Sequence, residues 1–273
     1  MKLLRYGMSA TGASGGNEKP GMLDDAGVLR DLSGIVNDIA GETLLPENIE
    51  RLRKIDPASL PEVDGTQRLG PCVGQVGKFI CIGLNYADHA RESNLKPPKQ
   101  PLFWLKAPTS LIPDGAKIDL PFPSHRNDFE AELAIVIGRR MRNVAPQAAS
   151  RYIFGYTAAQ DISDRDIQRS ESQWARAKSF DTFTPLGPYI ETKIDPQDLT
   201  IQLFQNGQLR QNSHTGQMIF SCAQLVSFIS TNMTLLPGDI ILTGTPSGVG
   251  PIESGDRLDV RIGDMHALCN SVS

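Results

Sequence analysis

Two glutamates two residues apart, Glu130 and Glu132, are the first residues of this chain whose types and spacing suggest chemistry. They lie in DFEAELAIVIG (residues 128–138), where an apolar, β-branched run from Leu133 is stopped by Gly138. That pattern reads as a buried strand. Side chains alternate faces along a strand, so Glu130, Glu132, Ala134 and Val136 share one face. The two carboxylates then point the same way, roughly 6–7 Å apart at Cα. Two like-charged carboxylates resist burial, and a hard divalent cation resolves the conflict by binding their oxygens. An edge strand with both glutamates in water is the plain alternative. Asp161 falls where a second strand would end and could add a third carboxylate. Such an oxygen-only set suits Mg²⁺ or Mn²⁺ and admits Ca²⁺. Zn²⁺ is disfavoured, because no His or Cys is placed with the three acids.

Further groups could serve such a centre. His89 and Glu92 stand three apart on a short helix that Asp88 could cap, so they share a face. The carboxylate could orient the imidazole for general-base work, or the two could be an incidental surface pair. Lys178 lies among small and apolar neighbours, where a partly buried ammonium would sit near a developing anion. Arg165 and Gln168, one helical turn apart, could hold a substrate carboxylate. The loop TGTPSGVG (243–250) offers backbone N–H groups and the Thr245 hydroxyl to an anion. It lacks the lysine of a phosphate-binding loop, which argues against nucleotides. Lys106 reads as a snorkelling surface lysine ahead of an anion contact, and His125 as an ordinary loop histidine.

The elements that must position these residues read as mostly strands. Candidates are Lys2–Tyr6, Lys78–Gly83, Pro101–Lys106, Tyr152–Thr157 and Arg257–Ile262. Gln205-Asn-Gly-Gln reads as a type I′ hairpin turn and Ser221–Ser230 as an amphipathic helix. Residues 9–17 (SATGASGGN) read as a flexible hairpin tip or loop. The length, 273 residues, allows a large domain with an appendage. A proline-rich stretch places a soft boundary near residue 70, with residues 1–70 as a small β-containing domain and 71–273 as the catalytic one. A net charge of −4 without a basic run argues against nucleic acid and anionic membranes. No apolar segment approaches the roughly 18 residues of a membrane span. The four cysteines show no C-x-x-C spacing, so buried free thiols and a cytoplasmic location are expected.

Taken in series, GLNYADHARE (83–92), DFEAEL with its IG end, GYTAAQDISDRDIQ (155–168), AKSFDTFTPLGP (177–188) and PGDIILTGTPSGVG (237–250) resemble the fumarylacetoacetate hydrolase superfamily. The resemblance covers about residues 70–273. It implies an α+β, β-rich fold, a mixed β-sandwich roll with short helices, assembled as a homodimer. It implies that Glu130, Glu132 and Asp161 hold the metal. His89 and Glu92 would activate water from a short lid segment, and Lys178 would contact substrate and the developing enolate. Tyr86, Arg165, Gln168 and Thr245 would line the substrate pocket. The opening segment resembles bacterial members acting on diketo-deoxy sugar acids or acylpyruvates. The implied reaction is hydrolysis of a C–C bond in a 2,4-dioxo acid, yielding pyruvate. Oxaloacetate decarboxylation and keto–enol isomerisation are the alternatives, since they pass through similar enolates. Two features depart from that subgroup and leave the substrate open: the SATGASGG insertion, and Phe129 where Tyr or Trp is common.

Overall fold

Alternating and continuous apolar runs become 18 strands among the described residues, joined by short helices. The computed structural model describes residues 1–8, 18–92, 94 and 96–273, so the expected loop at 9–17 lies outside the described residues. The first half of the chain supplies β1 (Lys2–Tyr6), β2 (Lys19–Leu23), β3 (Leu29–Asp31), β4 (Phe79–Gly83), β5 (Leu102–Lys106), β6 (Leu111–Ile112), β7 (Lys117–Ile118), β8 (Asn127–Phe129) and β9 (Ala131–Ile137). The second half supplies β10 (Ile153–Gln160), β11 (Ser163–Asp164), β12 (Thr184–Glu191), β13 (Thr200–Gln205), β14 (Gln208–His214), β15 (Ile240–Leu242), β16 (Gly250–Pro251), β17 (Arg257–Ile262) and β18 (Leu268–Val272). The helices are α1 (Pro46–Leu52), α2 (Ala87–Glu92), α3 (Pro146–Ala149), α4 (Arg165–Ser170), α5 (Ala175–Lys178) and α6 (Cys222–Asn232).

The strands form three open sheets. The largest runs β3-β2-β1-β12-β10-β9-β15-β4-β5, with β6 beside β12. A second runs β14-β13-β17-β18-β7, and a small third one is β11-β8-β16. Pairing is mostly antiparallel, with parallel contacts at β15–β4, β12–β6 and β18–β7. Because β1 pairs with β12, the large sheet runs straight across the boundary expected near residue 70.

The centre of the large sheet, at β4, β9 and β15, is buried on both faces. Leu133, Ile135 and Ile137 of β9 enter a core shared with Ile201, Val260 and α6. Ala134 and Val136 enter a second core, closed by Leu32, Ile39, Leu44 and Leu52 from the N-terminal segment. Burial on both sides explains why β9 reads as a continuous apolar run. Each fully buried Leu, Ile or Val contributes about 1.5–3 kcal/mol relative to exposure, so the strand is a stiff mount. Glu132 shares its face with Ala134 and Val136 and sits at the edge of the second core.

Two local signals behave as their chemistry requires. Asn206 and Gly207 both have positive φ (53° and 78°), the type I′ geometry that closes β13 onto β14. Helix α6 starts in a reciprocal cap: the Gln224 N–H donates to Ser221 Oγ, and the Ser221 N–H donates to Gln224 Oε1.

Candidate active site

Three carboxylates meet because of strand register. Ala131 of β9 pairs with Gln160 of β10, and the Asp161 N–H donates to the Glu130 carbonyl at 3.0 Å. Glu130 sits in the break between β8 and β9, where the chain passes from one sheet to another. Oxygens of Glu130, Glu132 and Asp161 all lie within 4.8 Å of one another, and all three residues are buried. Neither glutamate is an exposed edge residue.

Basic side chains answer most of this charge. Lys178 Nζ donates to Glu130 Oε2 (2.9 Å), Asp161 Oδ2 (2.7 Å) and Ser163 Oγ (2.7 Å). Arg165 reaches Glu130 Oε1 at 2.6 Å and Asp128 Oδ2 at 2.8 Å. Burial alone would raise the Glu130 pKa, but Lys178 and Arg165 outweigh it and hold the group at about 2. Burial lowers the Lys178 pKa, yet Asp161 and Glu130 win and raise it, so the ammonium stays charged. Glu132 differs: it accepts the Gly244 N–H at 2.6 Å and has no basic partner among the described residues. Burial, then Asp161 and Glu130, push its pKa well above 4.5. A carboxyl driven to keep a proton beside two other acids is the situation a divalent cation relieves. Three carboxylates without His or Cys fit a hard cation, so these residues could hold one.

A cavity of about 590 Å³ opens onto Glu130 and Glu132. His89, Glu92, Lys178, Arg165, Gln168 and Thr245 also line it, so eight of the ten residues singled out in the sequence share one cavity. Asp161 is a ninth, just behind the wall through its contact with Lys178. The tenth, Tyr86, does not line the cavity: its ring is fully buried in the core and its hydroxyl has no partner among the described residues. In GLNYADHARE the chain turns at Leu84 and bridges Tyr86 to Met218, which sends that ring inward.

Other expectations need correction. Lys106 does not snorkel. It is 3% exposed, and its Nζ donates to Asp161 Oδ1 at 2.5 Å and to the Phe183 carbonyl at 2.7 Å. Asp88 does not cap α2 but lies inside it, where it accepts from Ser213 and Ser247 and ties the helix to β14 and the 243–250 loop. Gly244 N–H is aimed at Glu132, and the Thr245 hydroxyl accepts from Gln211 at 2.8 Å. Arg165 donates to Gln168 Oε1 at 2.7 Å, so both are partly committed to the protein. His125 is more than a loop residue: its Nδ1 lies 2.7 Å from Asp164 Oδ2 and its ring stacks on Phe122.

The His89–Glu92 pair is present but loosely joined. Nδ1 lies 3.5 Å from Glu92 Oε2 and makes no hydrogen bond. Glu92 instead accepts the Gly248 N–H at 3.0–3.1 Å. Sequence reasoning overlooked Asp128, Arg126 and Arg169 on the cavity wall, together with Trp104 and Trp174. The D-x-E-x-E spacing of Asp128 was a usable signal for the first; the others carry none.

Open mixed sheets surround a buried three-acid site with an ammonium inside it, a set of groups that could hold a divalent cation. The profile described as fumarylacetoacetate (FAA) hydrolase C-terminal matches residues 78–273. A Burkholderia orbicola protein provisionally described as a hydrolase is 49% identical over 254 residues, 92% of this chain and 88% of that one. The structure of 5-carboxymethyl-2-hydroxymuconate delta-isomerase from Mycobacterium smegmatis is 35% identical with a TM-score of 0.82, covering 100% of this chain and 99% of that one. Maleylpyruvate hydrolase from Sphingobium sp. SYK-6 is 27% identical with a TM-score of 0.82, at the same coverage of 100% and 99%. The chain belongs to the fumarylacetoacetate hydrolase family.

Proposed function

We propose that this enzyme hydrolyses a carbon–carbon bond in a 2,4-dioxo acid, of the acylpyruvate or 2,4-diketo-3-deoxy sugar acid type, giving pyruvate and a second carboxylic acid. The observation that carries the reading is the single cavity lined by Glu130, Glu132, Lys178, His89 and Glu92. The similarity to a maleylpyruvate hydrolase supports it. Mg²⁺ or Mn²⁺, with Ca²⁺ also admitted, held by Glu130, Glu132 and Asp161, would act as a Lewis acid toward substrate oxygens.

The residues of the chain divide the remaining work. Arg169 lines the cavity with no acidic partner among the described residues, so it is available to the substrate carboxylate. Arg165, held by Asp128 and Glu130, fixes Glu130 and with Gln168 shapes the wall. His89 removes a proton from the attacking water, and Glu92 stabilises the imidazolium that forms. The water oxygen bonds to the carbonyl carbon distal to the carboxylate. The adjacent C–C bond then breaks, and its electron pair leaves as pyruvate enolate. The Lys178 ammonium offers fixed positive charge where that anion develops. The imidazolium returns the proton to the enolate carbon.

Keto–enol isomerisation is the second reading. It is favoured by the open 3.5 Å His89–Glu92 pair, since moving one substrate proton does not require a tightly bound water-activating dyad. A pyruvate-coupled assay with Mg²⁺, with and without EDTA, separates the readings. Pyruvate from a diketo acid, lost with EDTA, supports hydrolysis. Pyruvate from oxaloacetate alone would move the enzyme to decarboxylation, and enol-to-keto conversion without pyruvate to isomerisation. A homodimer belongs to the same proposal, supported by exposed Leu102 and Leu105 on edge strand β5 and read by light scattering. So does a cytoplasmic location, supported by four free cysteines and read by cell fractionation.

A further inference from the structure

The chain has two tryptophans, and both line the active-site cavity. Their rings meet edge to face, with centroids 5.1 Å apart and planes at 71°. Trp104 alternates with Lys106 along β5, which turns its ring toward the acidic centre. Trp174 immediately precedes α5, the helix that carries Lys178. The Lys178 ammonium lies 4.9 Å from the Trp104 ring centroid, which fixes one indole beside the reacting end of the site.

The backbone is shaped to seat the pair. A Cβ on Gly83 would lie 2.9 Å from Trp104 Cζ3 and 3.3 Å from Trp174 Cζ3, so the end of β4 must be glycine for both rings to pack there. The next residue, Leu84, also lines the cavity and has φ +53°, a left-handed conformation rare for a bulky side chain. Such conformations persist where the surroundings enforce them, often at ligand sites.

We infer that Trp104 and Trp174 form an aromatic corner that selects a flat, unsaturated or aromatic tail on the substrate. The inference rests on the dioxo-acid reading above and names its substrate class. Perpendicular rings present a face and an edge, and a planar π group can satisfy both at once. A polyhydroxylated tail meets the opposite conditions: its hydroxyls would lose water against indole carbons, which leaves buried polar groups unpaired. A methyl tail would leave the corner unfilled.

The test compares 2,4-dioxo-4-phenylbutanoate, 2,4-dioxopentanoate and a 2,4-diketo-3-deoxy sugar acid. With the metal-loaded enzyme, kcat/KM is expected to favour the phenyl tail by roughly 10- to 100-fold, the scale of burying and stacking one ring. In Trp174→Leu and in Gly83→Ala that ratio is expected to fall several-fold. Equal or better turnover of the sugar acid or the methyl tail by the unaltered protein would overturn the inference. A second readout needs no turnover. Two tryptophans give two indole N–H signals in a ¹H–¹⁵N spectrum, and metal-loaded His89→Ala titrated with the phenyl acid is expected to shift both. Shifted indoles in that variant, with no pyruvate from any of the three acids on the unaltered enzyme, would sink the hydrolase reading and leave the corner standing. Pyruvate release by the unaltered enzyme, with both indole signals of the variant unmoved, would do the reverse.

Discussion

Replacing Lys178 by methionine keeps most of the side-chain volume and removes the charge. The structure sets the size of the effect. Lys178 is 1% exposed and donates to Glu130, Asp161 and Ser163 at 2.7–2.9 Å. Arg165 still answers Glu130 and Lys106 still answers Asp161, so the acids are not stripped bare. Removing one partner of a buried ion pair nevertheless costs about 3–5 kcal/mol, because the remaining charge is left in a poor solvent. At about 2–4 °C per kcal/mol for a protein of this size class, the EDTA-treated variant should melt roughly 10 °C below the parent. Divalent metal supplies the missing positive charge, so the deficit should narrow when Mn²⁺ is added. Metal affinity should rise in the variant, since a competing ammonium has gone. Loss of a fixed charge at the developing enolate should lower kcat by about 10²–10³-fold. Differential scanning fluorimetry with and without Mn²⁺, calorimetric metal titration and the pyruvate assay read these three quantities. An unchanged melting temperature in EDTA, or weaker metal binding, would refute the view that Lys178 and the cation share the same carboxylates.

His89→Ala should retain metal by elemental analysis while kcat falls by about 10²–10⁴-fold, the scale of a lost general base. Full activity would remove His89 from the reaction. The raised pKa of Glu132 makes a stability statement. The folded metal-free state holds a proton that the unfolded state releases above about pH 4.5, so stability should fall as pH rises from there. Urea midpoints in EDTA should decline between pH 5 and 8 more steeply for the parent than for Glu132→Gln, and equal slopes would contradict the assignment. Burial pushes the Cys72 and Cys222 thiols up to about 12 and holds Cys81 well above the usual thiol range, and burial with Asp259 pushes Cys269 to about 12. At pH 8 the native protein should therefore react slowly with a disulfide reagent, and 4 thiols should appear on denaturation. Rapid native labelling would contradict that burial.

Much of the site was legible because local period sets direction. The two-residue spacing of Glu130 and Glu132, inside a run that reads as a buried strand, is enough to aim both carboxylates at one side. The same reasoning recovers the Asn206-Gly207 turn and the Ser221 helix start, because backbone conformation and capping are decided within four or five residues. What local period cannot carry is which distant segment arrives at that side. Lys106 ends an apolar strand and looks like a surface lysine. Asp161, 55 residues further on, turns it into a buried counter-charge once the sheets are assembled. Tyr86 sits within a motif of polar residues, yet the path of the chain through Leu84 and the Met218 bridge drives its ring into the core. Arg165 reads as a free cation until Asp128 and Glu130 claim its guanidinium. The two tryptophans, 70 positions apart, become one corner because β5 and the start of α5 pack over the same glycine. Sequence by itself therefore determined which residue types face the site from each strand. Tertiary structure decided which of them are paired, buried or left open to a substrate, because strand register and covering layers are set by contacts between segments far apart in the chain.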